Sequence, residues 1–211
     1  MKPLSLFTPI LAFCLFVGVA QATSTPALVT THDFGVHPDL IGPETIGFEF
    51  TANSSVTVDG LGVFDSGQDG LAERHQVGLW DAGGALIAST TVGAGTSAPL
   101  LGLYRYARIS PTALTAGANY FVGVYAVDFT DQFYCCAYPA SIDPRISLID
   151  FGLGNSTTFR APDFVVPQIN YANFTIGSAV PEAAAWAMML IGFGLAGASV
   201  RRLRRARTAI A

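Results

Sequence analysis

The chain has 211 residues, 11 Lys+Arg against 15 Asp+Glu, and a formal net charge of −4. Residues 23–180 hold five arginines (Arg74, Arg105, Arg108, Arg145, Arg160), no lysine and fourteen acids, a net charge of −9. A body this acidic excludes nucleic acid as a partner, because that binding rests on neutralising phosphates. The 22 glycines and the many Val, Thr, Phe and Tyr residues point to short strands and tight turns, not helices.

Residues 1–22 read as a secretory signal. Lys2 gives the positive start, and Leu4 to Val19 form the apolar run. Ala20-Gln21-Ala22 is a small-x-small site for signal peptidase, so the mature chain begins at Thr23. Residues 23–43 are rich in turn formers and read as an extension lying loosely against the domain. His32 and His37 stand there beside Asp33 and Asp39, but their spacing repeats no metal-ligand pattern.

From Thr45 the hydrophobic period becomes two. Ile46, Phe48 and Phe50 alternate with Gly47, Glu49 and Thr51, the signature of a half-buried strand over 45–51. Val56 to Phe64 forms the next strand or pair, kinked at Asp59-Gly60. His75 to Trp80 and Ala85 to Val92 flank the turn Asp81-Ala82-Gly83-Gly84 as a hairpin. Tyr104 to Ile109 alternates again, Pro111 to Gly117 reads as a loop, and Asn119 to Thr130 is the longest strand. Residues 131–170 read as irregular, and Tyr171 to Ile176 closes the domain. Short strands with turn signals every eight to twelve residues indicate an all-β body over 44–179, an antiparallel β-sandwich or jelly roll.

Three groups in the body invite a chemical reading. Asp65, Asp69 and Glu73 lie four apart in a glycine-containing loop, and carboxylates at short spacing bind Ca2+ in secreted domains. Their spacing is not that of an EF-hand, and Asp and Gly also favour turns, so turn chemistry is the expected role and no cofactor is expected. His75 follows Glu73, yet no nucleophile elbow or H-E-x-x-H sequence accompanies it; it reads as a surface histidine in a protein that is not an enzyme. Cys135 and Cys136 are adjacent and leave three alternatives: a strained vicinal disulfide, a bond to another chain, or buried thiols. Phe133, Tyr134 and Tyr138 around them suit packing more than sugar stacking. The sequons at Asn53, Asn155 and Asn173 read as turn residues.

The last segment, 180–207, differs from everything before it. Ala183 to Val200 is 18 residues without a charge, and as a helix it spans about 27 Å, the thickness of a hydrocarbon core. Pro181 and Glu182 suit its N-terminus. Arg201, Arg202, Arg204, Arg205 and Arg207 follow, a cluster that holds its side of a span in the cytoplasm. A transmembrane helix over 183–200 is therefore expected, with Gly192/Ala196 and Gly194/Ala198 as close-packing pairs.

Pro181-Glu182, then Trp186-Ala-Met-Met-Leu-x-Gly-Phe-Gly-Leu-x-Gly and the arginines, resemble the PEP-CTERM sorting signal of Gram-negative bacteria. Ala183 stands where that family usually has a second proline. The resemblance implies an exosortase that recognises the tail, cuts near Pro181-Glu182 and passes the body from an inner-membrane intermediate to the cell surface, outer membrane or matrix. The runs at 58–65, 77–88 and 114–120 resemble extracellular β-sandwich domains found beside such tails. That resemblance implies a structural or adhesive role with extracellular polysaccharide; a carbohydrate-binding module or a secreted hydrolase are the alternatives.

Overall fold

In a computed structural model, the structure describes residues 24–33, 35–36, 43–127, 130–135, 138–155, 157–165, 169–177 and 191–194. Strand β1 (Glu44–Ala52) carries the alternation expected of it: Ile46, Phe48 and Phe50 are fully buried. β2 (Val56–Phe64) is one strand kinked at Asp59, where its register against β5 shifts between Val58 and Gly60. β3 (His75–Asp81) and β4 (Leu86–Val92) form the expected hairpin. Its turn is held by Asp81, whose Oδ1 accepts the backbone N–H groups of Gly83 and Ala85, both at 2.9 Å. Gly84 closes it at φ +78°, a conformation that favours glycine. The remaining long strands are β5 (Tyr104–Leu114), β6 (Asn119–Ala126), β7 (Ile146–Asn155) and β8 (Ala172–Gly177).

These strands build two large antiparallel sheets. One runs Thr25–Pro26, β8, β2, β5, Leu100–Leu101; the other runs Phe164–Val165, β7, β1, β6, β3, β4. Phe174 of the first sheet meets Phe50 and Phe48 of the second at ring-centroid distances of 4.7 and 6.1 Å, so the sheets face each other across one aromatic core. Val58, Leu61, Val63, Val77, Leu79, Val122, Val124 and Ile176 fill the rest of it.

Four expectations are corrected. β6 ends at Ala126 after 8 residues, so the longest strand is β5, with 11. β5 continues through Pro111, which was expected in a loop: Ile109, Ser110 and Pro111 fall where β5's register against β2 shifts, and a bulge accommodates a residue that cannot donate to the ladder. Residues 131–170 are not irregular, because β7 is a ten-residue strand paired along the length of β1. A bulge between Leu148 and Asp150 leaves Ile149 46 % exposed and reverses the alternation there, which hides the strand from a period-two reading. The N-terminal extension is also not loose. Thr25–Pro26 pairs with β8, and Ala27 and Leu28 are buried. Asn173 ties Leu28 down: its amide donates to the Leu28 carbonyl at 2.8 Å and accepts the Leu28 N–H at 3.2 Å.

The second sheet's outer face is partly covered by the segment after β7. Phe159 packs on Trp80 at 4.9 Å and Tyr125 at 6.1 Å, and Pro162 lies over Gly123 and Gly154. Residues 191–194 are helical; no helix among the described residues is long and apolar enough to cross a membrane. The rest of the expected 183–200 span lies outside the described residues, as does the 1–22 signal.

Candidate functional site

Two groups of titratable side chains lie at the end where β2 leaves for β3. Asp65 directly follows β2 and Arg105 is the second residue of β5; both are buried, at 2 and 4 % exposure. Arg105 Nε donates to Asp65 Oδ2 at 2.6 Å. Its Nη1 donates to the carbonyls of Thr96 and Ala98 and its Nη2 to that of Gln68, so one guanidinium fastens two loops. The Gly70 N–H reaches the Asp65 carboxylate at 3.2–3.3 Å.

A second group lies beside it. His75 opens β3 and is 1 % exposed, a correction to the surface position expected for it. Its Nε2 is 2.7 Å from Asp131 Oδ2 and 3.0 Å from the Tyr171 hydroxyl. Asp131 also accepts the backbone N–H groups of Ala72 and Glu73 at 2.7 and 3.1 Å. Burial pushes the Asp131 carboxyl up, but the His75 and backbone hydrogen bonds outweigh it and hold it below its ordinary value. Above these groups is a polar cleft of 370 Å3 bordered by Asp33, Ser66, Asp69, Asp131 and Gln132. Asp33 Oδ2 accepts the Gly67 N–H within it.

The calcium set read from the sequence is not assembled. Asp65 turns inward to Arg105, and among the described residues no group of three His, Cys, Asp or Glu could hold a metal ion. Asp69 reaches the cleft; Glu73 contributes its backbone to Asp131. His37 and Asp39 lie outside the described residues. Cys135 ends a short strand, Phe133–Cys135, paired with Ile169–Asn170; its side chain and Cys136 lie outside the described residues. Phe133 and Tyr134 beside them are buried, as packing requires, while Tyr138 is 66 % exposed. Asp131, Arg105 and Tyr171 were not singled out from the sequence. Their partners stand 56, 40 and 96 residues away, and no local spacing signals such a contact.

A second, less polar cleft of 170 Å3 opens on the outer face of the five-stranded sheet. Tyr106, Pro99 and Leu101 supply its apolar side, and Asp59, Arg108 and Thr175 its polar side. Asp59 accepts the Ser24 and Thr175 hydroxyls at 2.5 and 2.6 Å, which fixes its carboxylate at the β2 kink.

The body thus belongs to the all-β class of antiparallel domains built on two large sheets, with the Asp65–Arg105 and His75–Asp131 pairs joining its loops. The chain belongs to the family described as a domain of unknown function (DUF4082), whose model matches residues 35–171. The PEP-CTERM protein-sorting motif matches residues 179–205, which takes in Pro181, Glu182, Trp186, Arg201, Arg202, Arg204 and Arg205; Arg207 lies just beyond. No curated protein and no solved structure matches the chain. The sorting motif makes this an exported protein, processed by exosortase and sorted to the cell surface or beyond it. All these tail residues, and Ala20 and Ala22 of the signal cleavage site, lie outside the described residues.

Proposed function

We propose that the body is a non-enzymatic structural or adhesive component of the cell surface or extracellular matrix, held there in association with exopolysaccharide. One observation carries the reading: a sorting motif follows a body whose Asp65–Arg105, His75–Asp131 and Asp143–Arg145 pairs brace loops, and of these six residues only Asp131 borders the polar cleft. Groups committed in this way rigidify a module that must persist outside the cell.

The test is fractionation of producing cells with the intact mass of the exported protein, followed by co-sedimentation with the extracted exopolysaccharide. A protein lacking residues 1–22 and everything after about Pro181-Glu182, sedimenting with the polysaccharide, is the expected outcome. A mass that retains the arginine tail, recovered in the inner membrane, refutes it and makes Ala183 the first suspect for failed cutting.

The Tyr106 cleft favours a second reading, a carbohydrate-binding module. It sets an aromatic ring and two aliphatic side chains against a carboxylate and a guanidinium, the mixture that a sugar's apolar face and hydroxyls require. A glycan array decides it: binding that disappears in Tyr106→Ala while the fold is retained selects the module.

A further inference from the structure

Sheet edges present unpaired N–H and C=O groups, and exported proteins must cover or blunt them. Three of the four outermost strands are short, and each covers only two residues of the strand inside it. Thr25–Pro26, Leu100–Leu101 and Phe164–Val165 are each two residues long, and one of them carries a proline. The fourth edge is β4, seven residues long, with the sequence Leu-Ile-Ala-Ser-Thr-Thr-Val. It holds no charge and no proline, the two devices that commonly protect an edge. Among the described residues nothing pairs with its outer side, and all of its side chains but Val92 reach solvent, with Leu86 48 % and Ile87 37 % exposed. The bulge against Leu79 and Trp80 falls at Ile87, at the hairpin end, so the run from Ala88 to Val92 stays regular.

We propose that β4 is a self-association edge: two copies of this chain join their six-stranded sheets by antiparallel pairing of Ala88–Val92. A twofold axis near Thr90 sets Ala88 against Val92 and Ser89 against Thr91, pairs of small and β-branched residues without charge repulsion. The body carries a net −9, and the Ala88–Val92 edge adds no like charge to such a contact. A second copy is the occupant because the sorting motif delivers every copy to the same surface, where the local concentration of this identical edge is high.

The experiment uses the full chain in mild detergent, with the protein mass read by light scattering. Two doubly substituted chains are compared with it, Ser89→Lys/Thr91→Lys and Ser89→Glu/Thr91→Glu. Both positions are exposed, so thermal melting confirms that each variant keeps its fold. The parent chain is expected at twice the single-chain mass, each variant alone at the single-chain mass, and their equimolar mixture back at twice that mass, because lysines then face glutamates. A parent of single-chain mass overturns the proposal. Variants that stay paired also overturn it and move the contact elsewhere, the tail first. A mixture that fails to re-pair shows that the two edges do not face each other.

Discussion

Replacing Arg105 with methionine tests whether the Asp65–Arg105 pair holds the loop end together. The substitution keeps an aliphatic stem in place and removes four hydrogen bonds, those to Asp65, Thr96, Ala98 and Gln68. Asp65 remains 2 % exposed with, among the described residues, only the Gly70 N–H, at 3.2 Å, to meet its charge. Removing one partner of a buried pair typically costs about 3–5 kcal/mol, since the other charge is left uncompensated. Against a total stability of about 5–15 kcal/mol, that is a large share. For a domain of this size it lowers Tm by roughly 6–20 °C. The assay is urea unfolding followed by Trp80 fluorescence in a Trp186→Phe background, which leaves one tryptophan, buried between β3 and Phe159. Arg105→Met/Asp65→Leu should recover most of the loss, because an apolar pair leaves no orphan charge. A loss under about 1 kcal/mol for the single variant, or a double variant no more stable than the single one, refutes the reasoning.

Glu44 is 2 % exposed, its Oε2 meets no hydrogen-bond donor among the described residues, and burial pushes its carboxyl up. A folded value above the unfolded one means that stability is lost as pH rises through it. Glu44→Gln should therefore stabilise the protein at pH 7 by about 1 kcal/mol, with the gain fading below the ordinary carboxylate range; equal melting shifts at both pH values would count against it. Asp131 has the opposite sign. Its folded value is depressed below 3.8, so its contribution is complete above that pH and lost as pH falls through the lower folded value. Asp131→Asn should flatten the acid end of the stability curve, and an unchanged slope there would remove Asp131 from the account. Gly47→Ala would drive a methyl group into the Val122 carbonyl and the Gly123 Cα on β6, both backbone atoms that cannot swing aside. It should cost about 3 kcal/mol or more, measured as a fall in the urea midpoint, and a neutral result would show that the β1–β6 spacing yields easily.

The sequence by itself determined the address and most of the inner wall. The sorting tail is legible because its chemistry is local: an acid, an apolar run and an arginine cluster act in order, whatever the body does. β1, β3 and β6 are legible because period-two alternation follows directly from one face being buried, as Phe48 and Val122 show, and β4 is legible as the return strand of the Asp81–Gly84 turn. Tertiary structure alone decided β7, since the bulge at Ile149 breaks the period and only pairing with β1 restores the strand. It also decided that Pro111 stays in a strand, because the bulge opposite Asp59 gives it a place. The candidate calcium loop became a buried ion pair for the same kind of reason. Asp65 has neighbours in sequence that suit a turn, but the desolvated carboxylate follows the strongest donor within reach, and Arg105 arrives there only when β5 lies against β2. Local chemistry can be read one segment at a time, whereas a buried charge takes its role from the partner that the fold brings to it.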